Sequence, residues 1–145
     1  MVDRTITSAD SSFFLGSADY ALGIELEGYA ADAAFALDNA DTAETSLGVD
    51  GKLAAGWVPR SYNQTITLQA DSPSASVIDA FIAAQDVART IFRLTGTITL
   101  PGNKMSYSLL RGVIKNYTAM PTAQRVLQPR TYVIEWEKVI PVPIA

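Results

Sequence analysis

Apolar residues alternate with polar or small residues at several places along the chain, a pattern that is typical of half-buried β-strands. The clearest alternation covers residues 20–26, 62–70 and 131–139, and a weaker version covers residues 29–37. Residues 91–100 and 105–113 flank Pro-Gly-Asn-Lys at 101–104, which predicts a β-hairpin, and its second strand can extend to residue 118. The sequence therefore predicts a sheet of at least six strands.

A different periodicity, typical of an amphipathic helix, runs from about residue 73 to residue 90. Its apolar face is formed by Val77, Ile78, Phe81, Ile82, Ala84 and Ala88. Ser72 is placed to cap this helix, Pro73 suits its first turn, and Gln85 interrupts the apolar face. Since a lone amphipathic helix must bury that face, we expect it to cover the sheet.

These elements predict one mainly β domain with a single helix (α+β) over residues 1–145. Several strands carry small neutral polar side chains on one face, which suits contact with water or with a smooth wall. These side chains are Thr65, Thr67, Gln69, Thr95, Thr97, Ser106 and Ser108. Unpaired strands at the edges of such a sheet invite pairing with further copies of the chain.

Composition argues against most enzyme chemistry. The chain has no cysteine and no histidine, which removes disulfides, thiolate ligands and the commonest general base. The pair Glu25 and Glu27 is better explained as a solvated strand face than as a glycosidase pair. The acids Asp38, Asp41 and Glu44 lack the EF-hand pattern. We therefore expect no catalytic site, metal or cofactor, and the lack of a long apolar run predicts a soluble protein made in a cytoplasm without membrane contact.

Residues 38–61 are the least ordinary part of the chain. They are long for a connection inside a small domain, and long connections usually have a function. Charge is also unevenly distributed, because residues 1–50 hold ten acids and one base whereas residues 51–145 hold five acids and ten bases. Opposite charges of this kind suit head-to-tail contact between identical subunits.

The order of these segments resembles the tail tube proteins of contractile-tailed bacteriophages. The resemblance covers roughly residues 23–139 and depends on the element Gly48-Val49-Asp50-Gly51 and on the Thr/Ile strand at 65–68 followed by Ser72-Pro73-Ser74 at the start of the helix. It implies a β-sandwich or partial barrel whose inner sheet joins a closed barrel in a hexameric ring. Stacked rings would form the virion's inner tail tube, through which DNA passes during ejection without specific binding.

The resemblance also implies partners and contact residues. The partners are further copies of the chain and the sheath, baseplate and tail terminator proteins, assembled in the host bacterial cytoplasm. Residues 38–61 would form an extended hairpin or loop that stacks one ring on the next. Its candidate contact residues are Asp38, Asp41, Glu44, Asp50, Lys52, Trp57 and Arg60, and the seven neutral polar side chains named above would face the lumen.

Other functions remain open from the sequence. The chain could form the tube of an R-type bacteriocin or of a type VI secretion-like machine. It could instead be a monomeric carbohydrate-binding β-sandwich with Trp57 or Trp136 as its stacking platform. A basic patch of Arg60, Arg111, Lys115, Arg125 and Arg130 would suit an acidic protein partner. The apolar tail at 139–145 is expected to lie against its own sheet or a neighbouring subunit.

Overall fold

The structure is a computed structural model that describes residues 12–17, 22–25, 35–101, 104–121 and 123–143. Within these residues the chain forms ten strands and one helix. The strands are Ser12–Ser17 (β1), Leu22–Glu25 (β2), Phe35–Leu37 (β3), Ala43–Leu47 (β4), Leu53–Trp57 (β5), Tyr62–Leu68 (β6), Leu94–Leu100 (β7), Met105–Tyr117 (β8), Arg130–Trp136 (β9) and Lys138–Pro143 (β10), and the helix is Pro73–Ala88 (α1). The predicted mainly β fold with one helix is confirmed.

Strand β8 joins two limbs of one curved antiparallel sheet. Its first part pairs with β7 on one side and β10 on the other, and its last part pairs with β9. The first limb therefore has the order β2-β1-β7-β8-β10, and the second limb has the order β8-β9-β6-β3. Irregular pairing occurs on both sides of the junction, and Arg111 there has a positive φ of 51°. Bulges of this kind bend a strand and let it serve two limbs.

The hydrophobic core lies between the two limbs. The first limb contributes Phe13, Leu15, Leu94, Ile98 and Leu109, and the second contributes Ile66, Leu68, Tyr132, Ile134 and Trp136. The indole of Trp136 is fully buried and its Nε1 donates a 2.9 Å hydrogen bond to Oε1 of Gln64. This contact satisfies the polar atoms of both side chains, which burial would otherwise penalise. A sugar platform at Trp136 is therefore wrong.

Helix α1 adds Ala75, Ile78, Phe81 and Ile82 to this core, as its apolar periodicity predicts. Ser72 occupies the N-cap position, but its side chain makes no capping hydrogen bond, so that part of the prediction is wrong. The helix ends at Ala88 because Arg89 adopts a left-handed conformation with φ of 53°. Gln85 is buried, and its Oε1 accepts a 2.9 Å hydrogen bond from the amide of Phe92. Gln85, the polar residue within the apolar face, thus anchors the segment that leads into β7 by a hydrogen bond.

The other sequence predictions have mixed outcomes. Strands β6, β7 and β9 fall where alternation predicts them, and β8 does extend beyond Gly112. The last predicted strand is instead two strands, because the chain bends at Glu137 and β10 then pairs with β8. Pro141 and Pro143 suit β10 because it lies at a sheet edge, where fewer amide donors are needed. Residues 20–21, 26–34, 102–103 and 144–145 of the predicted segments lie outside the described residues.

Candidate assembly surfaces

Residues 38–61 form an arm that leaves the second limb after β3 and returns at β6. Inside it, β4 and β5 pair only with each other, from Ala43 opposite Trp57 to Leu47 opposite Leu53. The base of the arm is held by hydrogen bonds from the amide of Asp38 to the carbonyl of Asn63 (2.8 Å) and from Oγ of Ser61 to Oε1 of Glu135 (2.8 Å). The arm is therefore a two-stranded projection from an anchored base.

The Gly48-Val49-Asp50-Gly51 element forms the turn at the tip of this arm. The amide of Gly51 donates to the carbonyl of Gly48 (3.0 Å), and the amide of Gly48 donates to the carbonyl of Lys52 (2.9 Å). The carboxylate of Asp50 accepts the amide of Lys52 at 3.1 Å. Gly51 has φ of +83°, a conformation that favours glycine. Asp50 therefore has a local role in the turn, independent of any contact with another subunit.

The two faces of the arm differ in chemistry. Directly opposite residues of an antiparallel pair share a face, so Leu47, Leu53 and Trp57 lie on one face, and Glu44 lies on the other with Ser46. The three large apolar side chains on the first face are 70%, 65% and 76% exposed, respectively. An isolated hairpin is at best marginally stable in water. The arm thus presents an apolar face without a partner among the described residues.

The candidate stacking residues all lie on this arm. Asp38, Asp41, Glu44, Asp50, Lys52 and Trp57 are exposed. Arg60 is half-buried at the base, where its Nε donates to the hydroxyl of Tyr62 at 3.0 Å and its guanidinium lies over the Tyr62 ring. Arg60 therefore braces the base of the arm.

The candidate lumen residues fall into two groups. Thr95, Thr97, Ser106 and Ser108 lie on the first limb and point away from the core, and Thr97 is directly opposite Ser108. Thr99 extends this group because it is directly opposite Ser106. Together these five residues form the hydroxyl face.

The second group lies on the other limb. Thr65 and Thr67 alternate with the buried residues of β6, so they also point away from the core, and Gln69 lies in the turn after the strand. Because the two limbs enclose a shared core, the two groups lie on opposite sides of the molecule. A single lumen can therefore be lined by one group only.

At the end of the second limb, Arg130 and Asp79 tie β9 to the helix. The buried guanidinium of Arg130 donates to both carboxylate oxygens of Asp79, at 2.8 and 2.7 Å. It also donates to the carbonyl of Thr118 at 3.0 Å, and Tyr132 donates its hydroxyl to Asp79 at 3.2 Å. The prediction of Arg130 in a basic surface patch is therefore wrong, because its charge is used inside the fold.

This network changes the proton affinities of two of its members. The hydrogen bond to Asp79 raises the pKa of Arg130 despite its burial. Burial first, and then the negative charge of Asp79, raise the pKa of the Tyr132 hydroxyl well above its ordinary value near 10. The network holds the start of the loop 118–129 against the helix and β9, in a geometry in which Asp79 accepts hydrogen bonds from Arg130 and from the protonated hydroxyl of Tyr132.

A second exposed apolar surface lies at the same end of the molecule. Val126 and Leu127 are 72% and 54% exposed, and they line a shallow groove together with the turn between β6 and α1. We call this surface the far-end patch, and it consists of Gln69, Ala70, Asp71, Val126, Leu127 and Pro129. Sequence reasoning missed it, although Val126 and Leu127 were visible as large apolar residues in a segment without strand or helix periodicity.

The described ranges offer few features of other functional classes. No three acidic side chains within them converge on a site that could hold a metal ion. No helix found there has the length and apolar character to cross a membrane. Trp57 remains as an exposed aromatic side chain, and it belongs to the apolar face of the arm.

Comparison with solved structures defines the class of the fold. A cryo-EM structure of a PVC sheath/tube terminator from an extracellular contractile injection system in the extended state is similar over 98% of this chain and 99% of that chain, with 12% identity and a TM-score of 0.66. The tube-terminating cap of the anti-feeding prophage is similar over 99% and 94%, with 12% identity and a TM-score of 0.62. A PVC sheath–tube complex matches over 91% and 88%, with 12% identity and a TM-score of 0.59. The protein has the fold of these tail proteins.

The chain belongs to the family described as tail fiber protein gp32, whose model matches residues 4–140. No curated protein sequence matches the chain. The resemblance to tail proteins of contractile-tailed phages is confirmed by this family and this fold. It is a structural tail protein.

Proposed function

We propose that the protein is a ring-forming subunit of the inner tail tube of a contractile-tailed phage, and that its arm stacks one ring on the next. The observation that carries this proposal is the arm, because its Leu47, Leu53 and Trp57 face water in a hairpin that has no core of its own. Burying such side chains contributes about 1.5–3 kcal/mol each. An assembly that covers the arm would gain this free energy, which a monomer cannot.

Lateral contacts within a ring would use the two edges of the first limb, which are unpaired among the described residues. Strand β2 ends this limb on one side and β10 ends it on the other. On the outward face, Glu25 lies on β2 and Lys138 lies on β10. Copies placed edge to edge would bring opposite charges together, which favours one lateral arrangement over others. Six copies would close the ring.

The lumen in this proposal is lined by the hydroxyl face of the first limb. Across β7 and residues 105–110 of β8 that face is neutral and carries no Arg or Lys to hold phosphates. Phe14 of β1 also lies on it, opposite Thr97, and Lys138 lies at its β10 edge, where Glu25 of the next copy would neutralise it. A wall of this kind lets DNA pass without binding it. The choice of the first limb follows from the lateral contacts, since β2 and β10 lie at its two ends.

A terminating ring is the second candidate function. It is favoured by the match to the PVC sheath/tube terminator, which covers nearly the whole of both chains. A terminator and a tube subunit share the lateral contacts but differ in stacking, because a tube grows and a terminator ends it. Open-ended stacking therefore separates the two functions.

Negative-stain electron microscopy and sedimentation velocity of concentrated protein test the proposal. A tube protein is expected to form hollow tubes, a terminator is expected to stop at single rings, and a protein that remains monomeric at every concentration would contradict both. Deletion of residues 42–58 removes β4 and β5 without touching the core, so the variant should keep its cooperative thermal unfolding and lose the tubes. Tubes formed by the deletion variant would contradict the role of the arm.

A further inference from the structure

The arm and the far-end patch lie at opposite ends of the same strand. Strand β6 starts at Tyr62, next to the base of the arm, and ends at Leu68, next to Gln69 of the far-end patch. Seven strand residues separate these ends by roughly 20 Å at a rise of about 3.3 Å per residue. A surface at each end of one element is the arrangement required for head-to-tail contact, in which different surfaces of two copies meet.

The two surfaces match in chemistry. The arm presents Leu47, Leu53 and Trp57 on one face of a thin hairpin. The far-end patch is a shallow groove with Val126 and Leu127 on its wall. Contact between the two surfaces would bury the large apolar side chains of both, and Gln69 and Asp71 of the patch leave polar groups available to the contact.

Their charges are complementary as well. Residues 38–61 hold four acids and two bases, for a net charge of −2. Residues 115–130 hold three bases and no acid, and Asp79 neutralises one of these bases, Arg130. Lys115 and Arg125 then leave +2 around the loop that carries the patch. Asp71 lowers the positive charge at the patch itself. The opposite charges therefore orient the contact, and burial of apolar side chains stabilises it.

We infer that the arm of one copy docks its apolar face into the far-end patch of a second copy. This inference rests on the proposed function and adds the receiving surface to it. Because the donor and the receiver are different surfaces, each copy keeps one free surface of each kind after docking. The contact can therefore continue indefinitely along an axis.

Two surface variants test the inference by complementation. Leu53→Asp places a charge on the apolar face of the arm, and Leu127→Asp places one in the far-end patch. Each variant alone should raise the concentration needed for tube formation by about tenfold or more. In an equimolar mixture, the intact patch of the first variant accepts the intact arm of the second, so ring pairs that do not elongate should appear.

Val87→Asp is the matched control, because Val87 is another exposed apolar residue, on α1 and outside both surfaces. It should form tubes like the unmodified protein. The circular dichroism and thermal unfolding of all three variants should match the unmodified protein, since the altered side chains lie outside the core.

Disulfide trapping gives an independent readout, because the chain contains no cysteine. Leu53→Cys and Leu127→Cys variants, mixed and oxidised, should give a heterodimer on a non-reducing gel, whereas Leu53→Cys mixed with Val87→Cys should give far less.

The outcomes separate the inference from the proposed function. If Leu53→Asp abolishes tubes while Leu127→Asp forms them normally, the arm docks elsewhere, and the inference fails while the stacking role stands. Absence of any assembly by the unmodified protein would overturn both.

Discussion

Replacement of Gly112 by alanine should strongly destabilise the fold, and the cause is lack of space. Gly112 lies on β8, where the two limbs meet, against the buried indole of Trp136. A Cβ added at this position would lie 2.4, 2.6 and 2.9 Å from three atoms of that ring, distances that real Cβ atoms essentially never show. Its φ is not positive, so alanine would meet no backbone strain.

The expected cost follows from this overlap. Overpacking of a well-filled core usually costs about 1–3 kcal/mol, and three contacts below 3.0 Å place Gly112→Ala at about 3 kcal/mol or more. That is a large part of the roughly 5–15 kcal/mol that holds a typical domain folded. The indole cannot easily retreat, because its Nε1 is bonded to Gln64 and its far side contacts the Gly96 region of β7.

Gly56→Ala is the matched control, because no atom lies within 4 Å of a Cβ added at Gly56. It should change the free energy of unfolding by less than about 1 kcal/mol. Urea unfolding followed by tryptophan fluorescence measures both variants. Carrying Trp57→Phe in every protein leaves Trp136 as the reporter of the core.

A double-mutant cycle tests the named contact. Trp136→Phe alone should cost about 1–3 kcal/mol, because it leaves Gln64 without its donor and empties part of the core. Because this variant has no tryptophan in the Trp57→Phe background, the proteins of the cycle are followed by circular dichroism instead. The double variant Gly112→Ala/Trp136→Phe should be at least about 1 kcal/mol more stable than the sum of the two single changes predicts. Strict additivity, or a Gly112→Ala cost no larger than that of Gly56→Ala, would refute the reasoning.

Three further predictions concern the ion-pair network and the lumen. The raised pKa of Tyr132 keeps it protonated in the folded state, whereas an unfolded tyrosine ionises near pH 10, so the free energy of unfolding should fall above pH 10 by up to about 1.4 kcal/mol per pH unit. Tyr132→Phe should reduce this fall in urea titrations, and an unchanged slope would exclude Tyr132 as its source. Asp79→Ala leaves the buried Arg130 guanidinium with carbonyl partners alone and should lower the free energy of unfolding by about 2–4 kcal/mol. Arg130→Met should recover part of this loss in the double variant, and full additivity of the two changes would argue against an uncompensated buried charge as its cause. If the hydroxyl face lines the lumen, tubes of Thr97→Arg should retain duplex DNA at low salt whereas tubes of Thr65→Arg should not, and the reverse result would assign the lumen to the second limb.

The parts of the fold that could be predicted are those set by neighbours along the chain. Helix α1 has apolar residues at helical spacing, and Pro73 lies at its first position. Strands β6 and β9 alternate strictly between buried and outward residues, so their period of two is visible in the sequence. Strand β1 was missed, because its residues 12–17 hold two adjacent phenylalanines and no clear alternation.

The roles of individual charged and aromatic residues could not be predicted in the same way. The sequence around Arg130 does not distinguish it from a surface arginine, because only the packing of α1 against β9 brings Asp79 to it. Trp57 and Trp136 both lie on strands, yet one is exposed on the arm and the other is buried between the limbs. Sequence spacing records which residues share a face of one strand, but not which face the core will cover.

The candidate assembly surfaces also differ in how far the sequence alone predicts them. The unusual length of residues 38–61 and the turn at Gly48–Gly51 were evident from the sequence, because glycine positions and segment length are local properties. The position of the far-end patch was decided by the tertiary structure, since Gln69 and Leu127 are separated by 58 positions in the chain and meet only when β6 pairs with β9.

The sequence by itself determined that this protein is mainly β with one covering helix, that it lacks histidine and cysteine chemistry, and that residues 38–61 are unusually long for a connection. Only the tertiary structure decided that the neutral polar strand faces lie on two opposite limbs, that the arm has an apolar face, and that the far-end patch lies at the other end of β6. The physical reason is that backbone conformation follows from short-range sterics and periodicity. Surfaces, by contrast, are made by strands that pair across long stretches of chain, and burial of the shared core selects which of their faces remain exposed.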